Sequence, residues 1–142
     1  MVASEAVATG ESRAPAHRHV VAAIAAGGAI GGLIRGGAVK LAPLHEGHWP
    51  WATFCVNIAG CLILGFAVTL LLGRRRPPLL ALAFVGVGIC GALTTFSTLE
   101  LELARMIHDG HGGLALAYAG ATLVAGLAAV VLASAVARRR AG

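Results

Sequence analysis

Residues 91–98 read Gly-Ala-Leu-Thr-Thr-Phe-Ser-Thr, four hydroxyl side chains around one phenyl ring, inside an apolar run from Leu79 to Ile107. Hydrocarbon offers no partner for such groups, nor for backbone that leaves a helix. A cluster of this kind therefore persists only where it faces protein, water or an ion. One or two hydroxyls would simply bond back to their own helix carbonyls and bend the helix. Four of them, preceded by Gly86, Gly88 and Gly91, predict a functional break at about 91–95.

Other membrane-embedded polar groups repeat this chemistry. Thr53 and Asn57 are four apart and share one helix face. Asn57 carries two amide donors, which suit an anion, although a hydrogen bond to a neighbouring helix carbonyl fits its position equally well. Tyr118 and Thr122 repeat the spacing, with Gly126 continuing the face; Tyr118 also fits an interfacial aromatic belt. Arg35, at the far end of the first apolar run, must snorkel, pair or face an aqueous cavity. Glu100 and Glu102 point in different directions, so that one can face a vestibule and the other pair with Arg105. The inventory of hydroxyls, an amide and rings with electropositive edges is friendly to anions. No nucleophile–base pair appears, so no enzyme is expected. His108 and His111 have loosely metal-like spacing, but in a glycine-rich loop they read as a solvated turn. Cys55, Cys61 and Cys90 lie inside apolar runs without CxxC spacing and read as small buried packing residues.

These groups need elements that cross a bilayer. The 142 residues are 58% hydrophobic and 12% charged, outside the soluble globular range. Four apolar stretches, 20–42, 50–73, 79–107 and 114–137, are each long enough to span a hydrocarbon core. The expected fold class is an all-α membrane protein of four transmembrane helices with a break in the third. Residues 1–18 read as a disordered cytoplasmic tail, and 19–142 as one four-helix membrane domain. Gly27, Gly28, Gly31, Gly32 and Gly36 recur at intervals of four along the first helix, a flat face where another backbone can approach. Trp49 and Trp51 fit an aromatic belt. Arg74-Arg75-Arg76-Pro77-Pro78 stops the second helix, and Arg138-Arg139-Arg140 follows the fourth. With Arg13 and Arg18, these arginines fall on one side of a four-span topology, against Lys40 and Arg105 on the other. That bias predicts both termini in the cytoplasm of a cell-membrane protein. The basic clusters mark membrane orientation, with lipid rather than nucleic acid as partner.

Three stretches together resemble the Fluc/CrcB family of fluoride channels. Gly27-Gly28-Ala29-Ile30-Gly31-Gly32-Leu33-Ile34-Arg35 is similar to its GGxxGxxxR signature. Thr53-Phe54-Cys55-Val56-Asn57-Ile58-Ala59-Gly60 is similar to TxxVNxxG, and residues 88–98 are similar to GxxGxxTTFST. The resemblance covers nearly all of the chain after the tail. It implies an antiparallel, dual-topology dimer with two pores that exports cytoplasmic fluoride passively and excludes chloride. It further implies a structural Na+ at the dimer centre, held by the backbone carbonyls of Gly91 and Thr94. Asn57 and Phe96 would line the pore, Thr53, Thr98, Tyr118 and Thr122 would supply polar contacts, Glu102 would sit near a vestibule and Arg35 near a pore mouth.

One position departs: the family's second phenylalanine, three residues after the first, is here Leu99. The arginine bias departs from dual insertion as well, and resembles family members that pair with an oppositely oriented homologue as heterodimers. A small multidrug-type exporter is the main rival, but such carriers use a glutamate in the first helix, and none lies between His19 and Lys40. A non-conducting partner subunit of a heterodimeric channel is the other alternative.

Overall fold

The computed structural model describes residues 17–141. Most of the expected tail, 1–16, lies outside the described residues. His17 and Arg18, placed in the expected tail, belong to the first helix.

Four helices are long and apolar enough to cross a membrane: α1 (His17–Leu41), α2 (Trp51–Leu72), α3 (Leu79–His108) and α4 (Gly112–Ala141). No strand occurs among the described residues. The ends agree with the apolar runs to within a few residues, and the largest difference is at α4, which continues through the arginines to 141. Pro50 and Pro78 stand immediately before α2 and α3, with their carbonyls accepting from Phe54 and Leu82 at 3.0 Å. A proline lacks an N–H that a helix start leaves unpaired anyway, so both act as entry points. Gly47 and Gly110 take positive φ of 70° and 83° in the α1–α2 and α3–α4 connections, a conformation that other residues adopt at a steric cost.

Glycine sets how closely the helices approach. A Cβ on Gly27 or Gly31 of α1 would collide with the carbonyl oxygens of Phe84 and Ile89 in α3. One on Gly88 would lie 2.8 Å from the Ile24 carbonyl. On the other side of the bundle a Cβ on Gly65 of α2 would lie 2.6 Å from the Val130 carbonyl of α4, and Ser134 donates to the Gly65 carbonyl at 3.1 Å. Lipid supplies no hydrophobic drive between helices, so this close van der Waals contact is what holds them together. The glycine face expected along α1 divides into two rows. Gly27 and Gly31 are used inside the subunit, whereas Gly28, Gly32 and Gly36 meet nothing within 4 Å.

Two stretches widen from α to π geometry, Leu64–Val68 in α2 and Ala83–Cys90 in α3. Farther along α3 the backbone is helical through Gly91–Leu93, extended at Thr94 (φ −77°, ψ 148°) and Thr95 (φ −146°, ψ 121°), and helical again over Phe96–His108. Large aliphatic side chains on the outer surface, such as Leu33, Leu116 and Leu123, are more than two-thirds exposed, as suits a chain whose solvent there is lipid. Four apolar spans make this a multi-pass membrane protein.

Candidate functional site

The extended pair is built from its own side chains. Thr94 Oγ1 donates back to the Cys90 carbonyl at 2.9 Å, on the same oxygen that accepts the Thr94 amide at 3.0 Å. Thr95 then starts the second limb of α3 as its N-cap: its hydroxyl accepts from the Thr98 amide at 3.2 Å and donates to Thr98 Oγ1 at 3.0 Å. A β-region threonine in this role is a standard helix start.

Asn57, from α2, holds the peptide groups that this turn leaves without helical partners. Its Oδ1 accepts from the Thr95 amide at 2.8 Å, and its Nδ2 donates to the Thr95 carbonyl at 3.3 Å. Both residues are buried. The clamp changes the accounting of helix hydrogen bonds. In a continuous helix the Thr95 amide would serve the Gly91 carbonyl and the Thr98 amide the Thr94 carbonyl. Here Asn57 takes the first donor and the Thr95 hydroxyl takes the second. The carbonyls of Gly91 and Thr94 are thereby freed of their helical donors.

A second cluster lies farther along the same face. Glu102, in the second limb of α3, accepts from Thr53 Oγ1 at 2.6 Å and from Tyr118 Oη at 2.8 Å, one hydroxyl on each carboxylate oxygen. Thr53 and Tyr118 are fully enclosed and Glu102 is only 7% exposed. Three helices thus meet on one carboxylate that no fixed cation neutralises within hydrogen-bond range among the described residues. Aromatic rings cover the cluster: Trp49 stands edge-on to Tyr118 at 5.3 Å and to Phe54 at 5.6 Å.

Between α2, α3 and α4 an open groove of about 750 Å³ runs past the clamp. Asn57, Gly91, Thr94, Phe96, Leu99 and Thr122 are among the residues that line it. Phe96 is 71% exposed, and the Thr122 hydroxyl is buried with no hydrogen-bond partner among the described residues.

The sequence-derived candidates therefore fall into three groups. Thr53, Glu102 and Tyr118 bond to one another. Asn57, Thr94 and Thr98 surround Thr95, while Phe96 and Thr122 face the groove. Arg35 is half-buried on α1 and belongs to none of the three. Glu100 is exposed while Glu102 is enclosed, which separates two carboxylates that spacing alone left equivalent. Sequence reasoning passed over two participants. Thr95 was one hydroxyl among four, and only tertiary contact reveals it as the hinge. Trp49 read as a belt residue, yet it packs on Tyr118. Among the described residues no group of three or more His, Cys, Asp or Glu is placed to hold a metal ion.

A family model described as CrcB-like protein, Camphor Resistance (CrcB), matches residues 22–134. The chain is 44% identical over 125 residues to a protein of Mycobacterium tuberculosis (strain CDC 1551 / Oshkosh) named Fluoride-specific ion channel FluC 1, a match covering 84% of this chain and 90% of the relative. It is 42% identical over 119 residues to Fluoride-specific ion channel FluC 2 of Streptomyces avermitilis, covering 78% and 75%. A protein of the latter name in Nocardia farcinica is 40% identical, with coverage of 84% and 85%.

Proposed function

The chain belongs to the CrcB family, and from that premise we propose that it is a subunit of a fluoride-specific channel through which cytoplasmic fluoride leaves the cell passively. The observation that carries this reading is the Asn57 clamp on the extended Thr94–Thr95 backbone, at the edge of a groove whose polar groups are uncharged. A small anion must exchange its water for donors on the protein, yet leave again. Hydroxyls, an amide and the electropositive edge of Phe96 offer many weak contacts and no fixed cation to trap the ion. Thr122 supports the same reading, since a buried hydroxyl without a partner is costly unless something else completes its bonding. The Thr53–Glu102–Tyr118 cluster continues the polar path beyond the clamp, with Thr98 between. Arg35 is assigned to a pore mouth.

A structural Na+ fits the freed backbone oxygens. Gly91 and Thr94 are the residues that would hold it, through carbonyls whose helical donors are engaged elsewhere. A hard cation takes oxygen ligands of this kind, and its positive charge would tie together the chains that share it. Gly91 is exposed and a Cβ there would meet nothing within 4 Å, which leaves room for a second chain. The proposed assembly is an antiparallel dimer in which the open groove is closed by the partner. Leu99 stands in the groove where the family's second ring belongs, and the six arginines of 74–76 and 138–140 favour one insertion direction with both termini in the cytoplasm. These two features favour pairing with an oppositely oriented homologue.

Fluoride and chloride efflux from liposomes holding this chain alone, and this chain with such a homologue, tests the proposal. Fluoride efflux with negligible chloride efflux is the expected result for the pair. Comparable chloride efflux would refute selectivity, and a fully conducting preparation of the chain alone would refute the heteromeric assembly.

A further inference from the structure

All four carboxylates among the described residues, Glu46, Glu100, Glu102 and Asp109, lie in the connection between α1 and α2 or in the second limb of α3 and just after it. Among the described residues the opposite end of the bundle carries two arginine triplets and no acid. α2 and α4 run side by side in the same direction, with Gly65 against Val130 and bonded to Ser134. Their C-terminal ends therefore bring Arg74–Arg76 and Arg138–Arg140 to one place. All six arginines are exposed. Arg140 is turned back onto the bundle, with its guanidinium carbon 5.9 Å from the centroid of Phe66. Phe66 itself projects from the π-widened turn of α2.

We propose that this end is a binding surface for the phosphate of anionic membrane lipids, seated between the ends of α2 and α4. Six like charges at neighbouring helix ends repel one another, and no carboxylate among the described residues offsets them, so an external anion is favoured there. The ends of two membrane-spanning helices lie at headgroup depth, where a phosphodiester is the abundant anion. Clusters of four to eight basic residues in that position attract anionic lipid. Arginine suits the task better than lysine, because its planar fork binds phosphate oxygens two at a time. Stacking on Phe66 holds one of the forks in place before lipid arrives. This surface is independent of which ion the protein conducts.

The test is lipid retention by the full chain in a non-ionic detergent, read by native mass spectrometry during titration with phosphatidylglycerol, cardiolipin or phosphatidylcholine. The anionic lipids are expected to bind at least tenfold more tightly than phosphatidylcholine. Each arginine changed to Gln should weaken them by roughly fivefold. Changing all six to Lys retains the charge that orients the chain, and should still weaken lipid binding because the fork is lost. Phe66→Leu should weaken it by roughly two- to fivefold. Equal retention of phosphatidylglycerol and phosphatidylcholine, or undiminished retention after all six are changed to Gln, overturns the proposal. Full retention by the six-Lys variant overturns the role given to the arginine forks. Displacement of bound lipid by millimolar inorganic phosphate would show a free-phosphate site and overturn the lipid assignment.

Discussion

The two limbs of α3 are held in place by opposite means. Residues 79–93 carry no charged side chain and lock onto α1 by shape, with Gly27 and Gly31 admitting the backbone of Phe84 and Ile89. The Phe96–His108 limb is fixed by side-chain hydrogen bonds: Asn57 on Thr95, and Thr53 and Tyr118 on Glu102. The first limb is a packing element and the second an instrument. Thr94–Thr95 separates them, so that polar groups can be aimed by α2 and α4 without loosening the seam with α1. The comparison also explains why a membrane protein tolerates a buried carboxylate. The limb that bears Glu102 has hydroxyl partners built for both of its oxygens.

The largest effect should follow from attacking the packed limb. Gly31→Val puts two methyl groups and a Cβ into the Ile89 carbonyl and the Leu93 amide region. Because the obstacle is backbone, no side chain can yield, and α1 must separate from α3. Overpacking of even a flexible core costs about 1–3 kcal/mol, and a rigid helix seam should exceed that. The expected outcome is loss of the monodisperse peak in detergent size-exclusion chromatography. Normal folding of this variant would show that shape does not hold the first limb.

Next in size is the clamp. Asn57→Ala leaves a buried amide and a buried carbonyl of Thr95 without partners, each costing about 1–3 kcal/mol. The chain should still purify, with a lower midpoint of thermal unfolding, while fluoride efflux falls by at least a hundredfold. Asn57→Asp keeps the acceptor for the Thr95 amide but turns a carboxylate oxygen toward the Thr95 carbonyl and places like charge on the anion's route. It should be as inactive as Asn57→Ala. An active Asn57→Asp protein would remove Asn57 from the pathway. A smaller effect is expected from Thr53→Val, which is nearly isosteric and removes one of the two donors to Glu102. Efflux should drop by roughly tenfold, with stability lowered by about 1–3 kcal/mol for the under-satisfied carboxylate.

How much of this was legible in the sequence follows the same division. The four spans and their ends could be read because hydropathy and length are local properties of the chain. Residues 91–98 stood out because hydroxyls in hydrocarbon demand an explanation. What stayed hidden was long-range. Glu100 and Glu102 are alike in sequence, and only the approach of Thr53 and Tyr118 distinguishes them. Asn57 had two readings, an anion donor or a bond to a neighbouring carbonyl. The structure contains the second of these bonds, to Thr95, while the residue also lines the groove. The α1 glycines could be counted from spacing, but which row is used depends on how α1 is rotated against α3, and several equivalent rows of four leave that rotation open.

That rotation yields the smallest predicted effect. Gly28 and Gly32 lie on the same helix as Gly27 and Gly31, one residue farther along, yet a Cβ on either meets nothing within 4 Å among the described residues. Within a single subunit, Gly28→Ala and Gly32→Ala should be neutral or slightly stabilising, because alanine favours helix over glycine by up to about 1 kcal/mol. The identical change at Gly27 or Gly31 should destabilise, since its Cβ collides with an α3 carbonyl. The opposite signs, one residue apart, are the test, read as thermal unfolding midpoints of the four single variants in detergent. If all four destabilise alike, α1 has no free face and the second row is also buried in the assembled protein. If Gly28→Ala and Gly32→Ala leave stability unchanged in dilute detergent but lower it when the oppositely oriented homologue is present, the second row is where that partner's backbone comes close. Small residues at intervals of four would then hold a contact between subunits by the same close approach that holds α1 to α3.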